Sequence, residues 1–84
     1  MNYQIKFTKQ AKKDVKNLNN KEKKKLKQIL LEVVSANPLV GKKLIGELEG
    51  SYSYRLNFKD RLVYSFNKKA KLIYVERART HYGD

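Results

Sequence analysis

Apolar residues recur every three to four positions from Ala11 to Val34, and every second position from Tyr52 to Val75. A single kind of element cannot serve both periods, so the chain divides into a helical first half and a stranded second half. Ala11, Val15 and Leu18, spaced i, i+4, i+7, predict a first helix from about residue 9 to 18. Thr8 is placed as its N-cap, where its hydroxyl accepts from an otherwise unpaired backbone N–H. Asn19 and Asn20 interrupt that helix, and Asn20 is expected to cap a second. There Leu26, Ile29, Leu30, Val33 and Val34 form one apolar stripe. Asn37-Pro38 ends it, since the residue before proline is pushed out of the helical region. Ahead of both helices, Tyr3, Ile5 and Phe7 share one side of a short alternating segment over residues 2–7, which reads as a half-buried strand.

Beyond Gly41, Gly46 and Gly50 the strands begin. Tyr52, Tyr54, Leu56 and Phe58 alternate with polar residues, a turn spans 57–60, Arg61–Phe66 is the next strand, and Leu72–Arg79 follows a loop at 67–70. Consecutive strands on short loops are most simply antiparallel neighbours. The expected fold is therefore α+β, with order β-α-α-β-β-β and both helices packed on one face of an antiparallel sheet. The other face stays partly open to a ligand. At 84 residues the chain is expected to form a single domain, residues 1–84.

Charge narrows the partner. Twenty Lys+Arg against eight Asp+Glu give a formal net charge of +12. Such an excess attracts a polyanion: nucleic acid, an anionic membrane or an acidic protein segment. The sequence has no cysteine and one histidine, His81, so a thiolate metal site, a disulfide framework and a two-histidine acid/base pair are excluded. No apolar run approaches the ~20 residues of a membrane span, and residues 1–7 do not resemble a signal peptide. A cytoplasmic protein without a bound metal or cofactor, and without a membrane partner, is expected.

The two halves carry different cations. Lysines alone serve residues 1–36, with Lys21, Lys23, Lys24, Lys25 and Lys27 on the polar side of the second helix. Arg55, Arg61, Arg77 and Arg79 all fall on or at the ends of the expected strands. A guanidinium fork grips phosphate oxygens bidentately, so arginines on one sheet make a fixed phosphate site where flexible lysines make a diffuse field. Their structural alternative is ion pairing with Glu47, Glu49 or Glu76. The C-terminal Arg77-Ala78-Arg79-Thr80-His81-Tyr82 adds the sole imidazole and a phenol. RNA can be cut without a metal because its own 2′-OH attacks the adjacent phosphorus. That chemistry needs a base for the 2′-OH proton, an acid for the departing 5′-oxygen, and cations on the phosphorane. His81 can act as acid or base near neutral pH, and Tyr82 can donate a proton or stack on a base.

Leu48-Glu49-Gly50-Ser51-Tyr52-Ser53-Tyr54-Arg55-Leu56, then Arg61-Leu62-Val63-Tyr64, then Arg79-Thr80-His81-Tyr82, resemble the YoeB/Txe branch of the RelE toxin superfamily. The resemblance implies a toxin of a type II toxin–antitoxin pair with a fold like that of small microbial ribonucleases. It also implies a ribosome-dependent endonuclease that cuts mRNA in the A site and is silenced by an acidic antitoxin. Carried over by position, Arg61 matches the arginine that stabilises the phosphate in the transition state. Arg55 matches a basic strand residue on the mRNA backbone, while His81 and Tyr82 match the pair used for proton transfer and stacking. Arg77, Arg79, Lys42 and Lys43 complete the expected RNA-binding set. One departure stands out: the branch has a carboxylate general base in the loop before the second strand, where this chain has Lys42 or Lys43. The nearest acids are Glu47 and Glu49, and spacing does not choose between them. A gyrase-poisoning toxin of the same fold, as in ParE, and a non-catalytic basic RNA-binding module are the competing readings.

Overall fold

The computed structural model describes residues 3–46, 50–56 and 60–78. Strand β1 (Gln4–Phe7) leads into helix α1 (Lys9–Lys16) and helix α2 (Asn20–Ile29). A π-helical turn over Leu30–Val34 and a 3-10 turn over Pro38–Val40 follow. Strands β2 (Lys42–Lys43), β3 (Tyr52–Arg55), β4 (Arg61–Asn67) and β5 (Leu72–Arg77) complete the chain.

The helix boundaries come from side-chain caps. Thr8 Oγ1 accepts from the Ala11 N–H at 3.1 Å, as expected. The second cap is Asn19 rather than Asn20: Asn19 Oδ1 accepts from the Glu22 N–H at 2.8 Å, and Glu22 Oε1 accepts from the Asn19 N–H at 2.9 Å. That reciprocal box pairs two backbone donors that a helix start otherwise leaves unpaired. Near its end the second helix widens, and the Ser35 N–H bonds the Leu30 carbonyl at 2.9 Å, five residues back. Leu30 and Val34 of the expected stripe are buried there, and Leu31, off the stripe, is exposed.

The sheet order is β1-β5-β4-β3-β2. The α+β class and the placement of the helices agree with expectation, but the sheet is mixed rather than antiparallel. β1 joins β5 in parallel, with Ile5 opposite Ile73 and Phe7 opposite Val75, and the short β2 adds a fifth strand beside β3. The helical crossover makes the parallel pairing possible, since α1 and α2 carry the chain from one edge back across a sheet face. Leu62, Tyr64, Ile73 and Val75 point to the helices and join Ala11, Leu18, Leu26, Ile29, Leu30 and Val34 in the core. Tyr64 is the sheet's anchor there. Its hydroxyl donates to the Pro38 carbonyl and accepts from the Gly41 N–H at 3.0 Å, tying the loop before β2 to the central strand. Burial pushes this phenol up to about 12, the Gly41 N–H opposing the rise.

Candidate nucleic-acid interface

Alternation fixes what the second face carries. With Leu62, Tyr64 and Phe66 turned toward the helices, Arg61, Val63 and Ser65 must face the other way along β4. The register then brings Arg55, Ser53 and Tyr74 to the same face. Lys42 pairs with Ser53 and joins them, and Lys6 arrives opposite Tyr74 from β1. Val63 is buried yet stands outside the core cluster, as a residue on this second face should. Ser51 and Ser53 are buried here too. The result is a polar floor with cations distributed along it.

Arg55 and Arg61 are directly opposed on neighbouring antiparallel strands. Side chains in that relation leave their Cβ atoms about 5 Å apart, and like charges so placed destabilise the pairing. Arg61 is half-buried and Arg55 exposed. Neither makes an ion pair with a described residue. Two arginines opposed on adjacent strands suit a shared anion whose oxygens accept from both forks.

The remaining expected residues divide. Lys43 pairs with Tyr52 and so turns toward the helix side, away from Lys42. Arg77 is drawn to the first helix: its Nε lies 2.8 Å from Asp14 Oδ2, an oxygen that also accepts from the Ala78 N–H at 3.2 Å. Gln10 Nε2 donates to the other Asp14 oxygen at 3.1 Å. Burial opposes ionisation of Asp14, but the donors from Arg77, Ala78 and Gln10, with the guanidinium charge, outweigh it and lower its pKa from 3.8. Asp14, which was not among the acids considered from sequence, is thus a partner of Arg77. Glu47, Glu49, Arg79, His81 and Tyr82 lie outside the described residues. Among the described residues no cluster of three His, Cys, Asp or Glu side chains is placed to hold a metal ion, and no helix is long and apolar enough to cross a membrane.

One residue on this face was missed in the sequence. The pairing of β4 with β5 slips between Val63 and Tyr64: Tyr64 pairs with Val75 and Val63 with Arg77, leaving Glu76 as the extra residue of a bulge. Its Oε1 accepts a 2.6 Å hydrogen bond from Ser51 Oγ. Alternation from Val75 puts Glu76 beside Tyr74 on this face, while the bulge itself is visible only in the register.

Known proteins share this arrangement. A RelBE toxin–antitoxin complex from Mycobacterium tuberculosis contains a chain 28% identical over 94% of this one and 98% of its own length, with a TM-score of 0.85. The YoeB–YefM toxin–antitoxin complex of Staphylococcus aureus offers 31% identity, covering 98% of this chain and 100% of that one, with a TM-score of 0.79. A free mutant of the Escherichia coli toxin RelE, 22% identical with a TM-score of 0.81, covers 100% of this chain and 88% of its own, and shows the same fold. No curated protein matches the chain. The model for the ParE-like toxins of type II bacterial toxin–antitoxin systems matches residues 5–83, which takes in both helices and all five strands apart from Gln4, and the chain belongs to that family.

Proposed function

We propose that this toxin is a metal-independent, ribosome-dependent endoribonuclease that cleaves mRNA in the A site and so inhibits translation in the cytoplasm. The observation that carries the reading is the opposed pair Arg55 and Arg61, two cations fixed on adjacent strands without an acidic partner among the described residues. An RNA phosphodiester held between them has its charge neutralised as it passes to the phosphorane. The 2′-oxygen loses its proton to a base and bonds to phosphorus. The P–O5′ bond then breaks, and the departing oxygen takes a proton from an acid, leaving a 2′,3′-cyclic phosphate and a 5′-hydroxyl. His81 is the acid in this scheme and Tyr82 stacks on the neighbouring base, with Lys42 and Arg79 along the RNA backbone.

Purified protein added to ribosomes programmed with mRNA should cut it in the A site. Arg61→Ala should lower the single-turnover rate about 100-fold or more, the scale of a lost electrostatic stabiliser. Intact mRNA in the wild-type reaction would overturn the reading. Gyrase poisoning is the second reading, favoured by the ParE-like description of the matching family. It predicts lost supercoiling by gyrase and untouched mRNA.

The partner in the cell is an acidic antitoxin. The Mycobacterium and Staphylococcus neighbours are toxin–antitoxin complexes. On this chain a groove of about 320 Å³ runs between β1 and the helices, with Ile5, Phe7, Val15, Leu26 and Leu30 as its apolar floor and Lys23 and Lys27 at its rim. An amphipathic helix with acidic flanks matches both the apolar floor and the basic rim.

A further inference from the structure

We propose that Glu76 is the general base that removes the 2′-OH proton. This rests on the endonuclease reading above and supplies the group that reading lacks. Among the described residues, Glu76 is the carboxylate that the strand register delivers to the face holding Arg55 and Arg61. Asp14 is turned to Arg77 on the helix side, Glu22 and Glu32 belong to the helical segments, and Asp60 is buried at the turn before β4, where alternation puts it on the side of Leu62.

Alternation from the buried Val75 puts Glu76 on this face, and it stands at a bulge, a feature that recurs beside active sites. Two contacts then hold it. Ser51 Oγ donates to Oε1 at 2.6 Å, and the Thr8 hydroxyl donates to the Glu76 carbonyl at 3.3 Å. The second carboxylate oxygen has no partner among the described residues, leaving it available to a substrate hydroxyl. Arg61 stands two to three residues along β4 from the point opposite Glu76, roughly 10 Å between Cα atoms at ordinary strand spacings. The Glu76 carboxylate is held at Ser51, at the other end of the floor from the Arg55–Arg61 pair, and the stretch between, over Ser53 and Val63, is where a phosphate reached by the long arginine side chains and its neighbouring 2′-oxygen would lie. The phosphate goes to arginine and the hydroxyl to glutamate. The proton lost from the 2′-oxygen passes to the Glu76 carboxylate as the O2′–P bond forms. The P–O5′ bond breaks, and the leaving oxygen is protonated separately. The charged and titratable groups sharing the face are Lys6 from β1, Lys42 from β2, Arg55 from β3, Arg61 from β4 and Tyr74 from β5.

The test is single-turnover cleavage of ribosome-bound mRNA between about pH 5 and 8, comparing wild type, Glu76→Gln, Glu76→Asp, Glu47→Gln and Glu49→Gln, with a thermal melt of each. A general base contributes about 10²–10⁴-fold, so Glu76→Gln should slow cleavage at least 100-fold and abolish the acidic limb of the pH profile. Glu76→Asp, which keeps the charge but retracts the oxygen, should slow cleavage while retaining that limb, and it decides the matter if the glutamine variant does not fold. A wild-type rate and profile in either Glu76 variant overturns the proposal while the endonuclease stands. Loss of the acidic limb in Glu47→Gln or Glu49→Gln, with Glu76→Gln unaffected, does the same. Wild-type protein that cuts nothing overturns both.

Discussion

Arg55 and Arg61 are costly neighbours. Cross-strand pairs of opposite charge contribute up to about 1 kcal/mol relative to alanine, and like charges reverse that sign. The pair therefore weakens the β3–β4 ladder in the free protein, as binding surfaces often weaken the folds that carry them. Arg55→Thr should raise stability by a few tenths to about 1 kcal/mol in denaturant titration, since threonine both removes the repulsion and favours a strand. The same variant should bind RNA less tightly. Unchanged or lower stability would mean that the guanidinium groups already have an anion-like partner in the free protein. The pair's existence was legible from the sequence, because alternation put both arginines on strands. Its geometry was not, because opposition depends on the length of the turn between Leu56 and Asp60, where the Leu56 N–H bonds the Asp60 carbonyl at 3.0 Å.

At the scale of elements, two connections hold the site's framework. The first is Asp14, which ties α1 to the end of β5 through Arg77 and the Ala78 N–H. Asp14→Asn loses the charge and leaves a buried donor poorly matched, which should destabilise the fold by about 2 kcal/mol. The folded pKa of Asp14 lies below its ordinary value, so the carboxylate's contribution is complete above about pH 4. It is lost as pH falls through the lowered folded value. The gap in stability between wild type and Asp14→Asn should thus be constant from about pH 5 to 7 and close on acidification below about pH 4. A gap that widens in acid would remove the ionised carboxylate from the account. The second connection is the loop held by Tyr64. A Cβ added at Gly41 would stand 2.9 Å from the Ser53 carbonyl and closer still to the Tyr64 hydroxyl. Gly41→Ala should accordingly displace β2, costing about 1–3 kcal/mol and visible as lost amide protection at Lys42 and Lys43.

These elements also show where local pattern stops carrying information. Thr8 as a cap and the Tyr3, Ile5, Phe7 side of β1 were legible because each is a relation among residues a few positions apart. The parallel partner of β1 lies nearly 70 residues away at Leu72–Val75, and alternation within a strand does not name its neighbour. β2 is two lysines, without any apolar residue to mark it. The Asp14–Arg77 contact spans 63 positions and depends on how α1 crosses the sheet. Glu76 falls on the open face by alternation from Val75, but its hydrogen bond to Ser51, 25 positions away, is not a local relation.

For the whole molecule the governing quantity is the charge of +12 on 84 residues. A chain of this size buries only about 60% of its unfolded surface, and self-repulsion lowers its stability further. Two opposite salt responses follow. Free protein should melt at higher temperature as sodium chloride rises from about 0.05 to 0.5 M, because the Debye length shrinks below the spacing of its surface cations. Protein saturated with an acidic peptide or an oligonucleotide should respond the other way. A ligand at about 100 times its dissociation constant adds about 2.7 kcal/mol, which in a domain of this length raises the melting temperature by roughly 10–20 °C. Salt weakens that binding, with a log–log slope of about −0.7 per neutralised phosphate for single strands, so the increment should shrink as salt rises. The two melting curves should converge near the concentration where binding is lost. The Lys-rimmed groove and the arginine face lie on opposite sides of the sheet, so an acidic helix and an RNA strand can be added separately and together. Additive increments would mean independent sites. Competition would mean that an antitoxin reaching both faces silences the toxin by covering its phosphate site as well as its groove. Melting temperatures that fall with salt in the free protein would show that self-repulsion does not limit this fold, and the coupling of partner to stability would lose its basis.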